Sequence, residues 1–91
     1  MGLLKKGGKR MEEKVAIIGL FIRDIAAAEK VNDILHSHAG EIIGRMGIPY
    51  QQCNMNIMSI IVKASSDNLS ALSGTLGRIE GVTVKTMQTP V

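Results

Sequence analysis

Two stretches of this chain are apolar at nearly every position, and each is too short to be a buried helix. In the first, Val15, Ile17 and Phe21 alternate with Ala16, Ile18, Leu20 and Ile22, so neither side of an extended strand is polar. The second, Ile57–Met58–Ser59–Ile60–Ile61–Val62, has the same character. A strand buried on both faces reads as a continuous apolar run, whereas a strand with one wet face alternates. Whatever sheet these strands form therefore needs a cover on each side.

The pattern along the chain says how many covers it carries. A strand is expected over residues 13–22, where β-branched residues dominate and proline is absent. Asp24 is a helix N-cap, and Ile25, Ala28, Val31, Ile34, Leu35 and His38 follow at helical spacing. Gly40 is the stop signal. A second strand is expected over residues 41–48, interrupted by Gly44 and Gly47 and ended by Pro49. The polar segment 50–54 reads as a hairpin loop into a third strand, residues 55–64. Ser65–Ser66–Asp67 supplies a turn and cap for a helix with Leu69, Leu72, Leu76 and Ile79 on one stripe. Glu80–Gly81 ends that helix, and residues 82–87 form a fourth strand.

The order is β-α-β-β-α-β, an α+β, ferredoxin-like two-layer sandwich: a four-stranded antiparallel sheet with two helices. Right-handed crossovers put both helices on one face. The other face is left bare, and a partner subunit is the simplest cover. The expectation is a homodimer or tetramer through the open sheet face, with Ile18, Leu20, Ile60 and Val62 at the interface.

Charge limits the partners. The chain has 11 Lys and Arg against 8 Asp and Glu, but Lys5, Lys6, Lys9 and Arg10 lie in an N-terminal stretch without acids. Residues 1–12 read as a flexible basic tail, and residues 13–91 as one small domain. The domain itself is not basic, so nucleic acid is not an expected partner of the folded body. An RNA-recognition sheet stacks bases on aromatics, and the first and third strands offer only Phe21. No apolar stretch reaches the roughly 18–20 residues that span a bilayer, so no membrane partner is expected. One cysteine, Cys53, forms no internal disulfide, which fits a cytoplasmic location.

Catalytic constellations are missing. No paired carboxylates, Ser-His-Asp set or supported Cys-His pair is spaced for chemistry, so the chain does not read as an enzyme. The soft ligands His36, His38, Cys53, Met46, Met55 and Met58 suit nickel, copper or zinc by type. However, residues i and i+2 of a regular helix point about 200° apart, so His36 and His38 do not share an ion. The methionines at strand positions read as packing. Arg45, within an apolar strand, requires either an intersubunit salt bridge, for example with Glu41 or Asp67, or an anionic ligand at the subunit junction. The candidate ligand-binding set is Arg45, Tyr50, Cys53 and His38, for a small acidic metabolite or a metal ion; no cofactor is specified. Ser70, Ser73, Gly74 and Gly77 form a small-residue strip on the second helix, read as close approach to Ala26–Ala27–Ala28 of the first.

The segment Leu69–Ser70–Ala71–Leu72–Ser73–Gly74–Thr75–Leu76–Gly77–Arg78–Ile79–Glu80–Gly81–Val82–Thr83–Val84–Lys85–Thr86 resembles the iron-only hydrogenase system regulators, small bacterial proteins with an ACT-like fold. Arg45–Met46–Gly47–Ile48–Pro49 and Asn54–Met55 resemble them too. The resemblance runs from about Glu13 to Thr86 and implies a cytoplasmic, oligomeric module with a regulatory, ligand-sensing role. The alternative is an assembly module that docks a protein and takes no small ligand. More distantly, the layout is similar to the C-terminal domain of nickel-responsive repressors, which bind metal through an H-x-H-x5-C pattern. Cys53 matches that pattern, but Arg45 and Gly47 stand where its histidines would be. The turn Ile22–Arg23–Asp24–Ile25 also lacks the Pro-Gly of ordinary ACT ligand sites.

Overall fold

The structure is a computed structural model that describes residues 13–89; the basic tail expected over residues 1–12 lies outside the described residues. The elements are β1 (Glu13–Ile22), α1 (Ile25–Ser37), β2 (Ile42–Tyr50), β3 (Met55–Ser65), α2 (Ser66–Gly77) and β4 (Val82–Gln88). Short 3-10 turns at Ala39–Glu41 and Gln51–Cys53 flank β2. The sheet order is β2-β3-β1-β4, and every neighbouring pair is antiparallel. This is the ferredoxin-like βαββαβ sandwich that the sequence pattern predicts, with β1 and β3 at its centre.

Local chemistry fixes both helix starts. The Asp24 carboxylate accepts from the Ala27 N–H at 2.7 Å, and the Ser65 hydroxyl accepts from the Asn68 N–H at 3.2 Å. Each satisfies an amide that the helix itself leaves without a partner. The chain between α2 and β4 turns at Gly81, whose φ of 89° belongs to the left-handed region open to glycine.

The core lies between the helices and one face of the sheet. Ala16, Ile18, Leu20 and Ile22 of β1 join Ile60, Val62 and Ala64 of β3. Above them sit Ala27, Val31 and Leu35 of α1 and Leu69, Leu72 and Leu76 of α2. Burying each of the larger side chains contributes about 1.5–3 kcal/mol. Ile25, counted on the apolar stripe of α1 from its spacing, instead lies exposed at the first helical position.

Ile18, Leu20, Ile60 and Val62 belong to this core, at 0–2% exposure. The expectation that they form a subunit interface is corrected: they lie under the helices of their own chain. The even-numbered residues of β1 and β3 pair with one another and turn inward, whereas Ile17 pairs with Ile61 and Phe21 with Ile57 on the opposite face. Ile17, Phe21 and Ile61 stay well exposed, together with Met46 and Ile48 of β2 and Met87 of β4. The uncovered apolar face exists, but it is built from the other set of side chains.

Two smaller differences have local causes. Pro49 falls inside β2 rather than ending it, because β2 is an edge strand and its outer backbone needs no amide donor. The small-residue strip of α2 makes no close helix contact. A Cβ on Gly77 would meet nothing within 4 Å, and one on Gly74 only the tip of Arg78 at 3.7 Å. Gly74→Ala is therefore expected to stabilise the domain by about 0.5–1 kcal/mol, seen as a higher melting temperature. Gly81→Ala is expected to lower it, because the added Cβ combines a positive φ with a 3.2 Å approach to Asp24 Oδ2.

Candidate functional site

The four candidate ligand residues are spread along the sheet. β2 runs from Ile42, opposite Val62, to Tyr50, opposite Met55. Seven residues of β3 separate those rows, about 23 Å at strand spacing. His38 precedes β2 at one end; Tyr50 and Cys53 lie at the hairpin end. Arg45 stands between them, opposite Ile60. No single small ligand or metal ion touches all four within one chain.

Each of them has a local role. His38 closes the C-terminus of α1, and its Nδ1 lies 3.1 Å from Glu41 Oε1. The other Glu41 oxygen accepts from Asn68 Nδ2 at 3.1 Å, so this carboxylate ties the turn before β2 to the start of α2. Glu41 is thus engaged elsewhere and does not pair with Arg45. Arg45 donates from Nη2 to Asn32 Oδ1 of α1 at 2.7 Å and remains exposed, and among the described residues no carboxylate of its own chain pairs with it. The Tyr50 hydroxyl donates to Gln52 Oε1 at 3.0 Å, and Cys53 is an exposed free thiol. Among the described residues, no group of three or more His, Cys, Asp or Glu side chains is placed to hold a metal.

A concave site does form at the hairpin end. A shallow pocket of about 330 Å³ lies between the β1–α1 turn and the β2–β3 hairpin. Ile22, Arg23, Asp24 and Ile25 line one wall, and Pro49, Tyr50, Asn54 and Asn56 are on the other. Of the candidate set, Tyr50 alone belongs to it. The Arg23 backbone N–H donates to Gly81 O at 2.9 Å, and its guanidinium donates from Nη1 to Thr83 Oγ1 at 3.0 Å. A guanidinium carries five N–H donors, so a single hydroxyl partner leaves donors for an anion. Asp24 is held as the α1 cap. Asn54 adopts φ 52°, ψ 51°, the left-handed conformation that lets the hairpin turn tightly. Arg23, Asn54 and Asn56 were not among the candidates, because only the antiparallel pairing sets Asn56 between Ile22 on one side and Pro49 on the other.

Comparison with known proteins sets this architecture in a family. The model of the TM1266-like family, described as a proposed iron-only hydrogenase system regulator, matches residues 14–86. The chain belongs to the TM1266-like family. The solved structure of protein TM1266 from Thermotoga maritima is similar, with 37% sequence identity and a TM-score of 0.82. That match covers 85% of this chain and 98% of the other. The C-terminal domain of the MgtC protein from Mycobacterium tuberculosis shares the fold, with 14% identity and a TM-score of 0.64 over 84% of this chain and 87% of that one. A comparison with curated proteins finds no match. Family membership bears out the resemblance read from residues 69–86 and gives a coarse regulatory role. Among the described residues, no helix is long and apolar enough to cross a membrane.

The division of the sheet into two faces has a measurable consequence. Ile18→Glu places a carboxyl at a site of 0% exposure with no polar partner, costing several kcal/mol in a domain whose whole stability is of order 5–15 kcal/mol. It is expected to abolish the cooperative thermal transition followed by circular dichroism. Ile61→Glu, on the open face, is expected to keep it.

Proposed function

We propose that this protein is a regulatory, ligand-sensing module that works as a homo-oligomer, with the open sheet face of one copy covered by another. The carrying observation is the uncovered apolar face of Ile17, Phe21, Ile61, Met46, Ile48 and Met87. Contiguous apolar surface of this kind marks an interaction site on a soluble domain. The family's description as a regulator supports the role. In this reading the effector is a small carboxylate-bearing molecule held at the hairpin-end pocket. Arg23 supplies the charge, the amides of Asn54 and Asn56 supply further donors and acceptors, and Tyr50 provides an apolar wall with a polar tip. Arg45, Cys53 and His38 lie outside this pocket.

The apolar face supports a second reading as well, a docking module for another protein with no small effector. The two differ in their response to small molecules. A ligand that binds the folded state at 100 times its dissociation constant stabilises it by about 2.7 kcal/mol. Thermal melts against a panel of mono- and dicarboxylates are expected to show a saturable rise that Arg23→Ala abolishes. A flat response across the panel overturns the ligand reading and favours docking. Native mass spectrometry is expected to show a dimer or tetramer for the wild type and a shift to monomer for Ile61→Glu. A wild-type monomer overturns the oligomer.

A further inference from the structure

The open face has a relief that the strand register makes readable. Across its middle runs the row Lys85, Gly19, Ser59, Met46, from β4 to β2. On one side of this row Ile17 stands beside Ile61; on the other, Phe21 stands beside Ile57. Two apolar ridges thus flank a central dent floored by a glycine and a serine. The dent is real space: a Cβ on Gly19 would have a single neighbour within 4 Å, the Lys85 carbonyl oxygen at 3.9 Å. Phe21, the only phenylalanine of the chain, is 45% exposed two residues further along the same strand and on the same face.

Resting on the proposal that a second copy covers this face, we infer that the two copies lock through Phe21 and Gly19. The two-fold axis crosses the strands midway between the Gly19 and Phe21 rows, so each Phe21 ring enters the partner's Gly19–Ser59 dent. A two-fold contact is isologous, so one knob and one hole on a single face are sufficient. An axis along the strands instead sets ridge on ridge and dent on dent, with voids between. Area makes the lock necessary. Four strands at ~4.8 Å and seven residues at ~3.3 Å give a projected footprint of about 440 Å², against roughly 800 Å² per partner in a typical stable interface. Side-chain relief raises the accessible area above the projection, but a face this small holds by close fit rather than by extent. Packed sheets rotate by about 30° relative to each other, and a central knob survives that rotation best.

Sedimentation velocity over a concentration series on the full chain tests the lock. Gly19→Phe fills the dent, its Cβ meeting only the Lys85 carbonyl oxygen at 3.9 Å, and Phe21→Ala removes the knob. Each is expected to keep the wild-type circular dichroism spectrum and weaken self-association at least tenfold. The double variant Gly19→Phe/Phe21→Gly exchanges knob and hole along the strand and is expected to restore association towards the wild-type value. Wild-type association in Phe21→Ala, or a double variant weaker than both single ones, overturns the lock while leaving the open-face oligomer standing. If Gly19→Phe misfolds, Phe21→Ala decides alone, because Phe21 lies outside the buried core. A wild-type chain that stays monomeric overturns the lock together with the oligomer beneath it.

Discussion

The architecture depends on an imbalance between one sheet and two helices. β1 and β3, the central strands, present aliphatic side chains in both directions, and α1 and α2 cover only one of them. Val31, Leu35, Leu69, Leu72 and Leu76 close over the even-numbered side chains, which become essentially inaccessible. This contact contributes most of the hydrophobic free energy of folding. It also commits the odd-numbered side chains to the outside, where among the described residues no element of the chain lies over them. The buried core and the open apolar face thus arise from the same two strands.

The polar contacts of the domain mostly position elements. Asp24 and Ser65 cap the helices, Glu41 bridges the turn before β2 to the start of α2, and Arg45 reaches across to Asn32. The exposed hydrogen bonds of Glu41 and Arg45 contribute little to net stability, but they set where α1 sits relative to the edge strand β2. The pocket follows from that placement: α1 starts beside the hairpin, and Arg23 and Tyr50 come to face one space. The site therefore forms at the strand ends, where the turns meet.

Legibility differed between fold and site for a definable reason. Elements were readable because their signals are local. Asp24 starts one helix, Gly81 ends the approach to β4, and the leucine stripe of α2 has a three-and-four spacing. The strand β1 was expected over residues 13–22 and is found there. The members of the candidate set were chosen by residue type, a signal that carries no distance. His38, Arg45 and Cys53 are chemically capable side chains, yet β2 separates the first from the last by its whole length. Arg23, Asn54 and Asn56 carry no motif, and only strand pairing brings them together.

By itself the sequence determined the order of elements, the antiparallel sandwich and the existence of a second apolar face, because hydrophobic period and turn chemistry are properties of neighbouring residues. It also carried the family, through residues 69–86. Which face the helices cover was decided only in three dimensions. Ile17 and Ile18 are equally apolar, and a strand apolar on both sides has no period from which to choose. Weak markers were present in Ser59 and Lys63, both at odd positions of β3. Register and helix crossover settle the choice together, since a shift of one residue would exchange the entire inner set for the outer one.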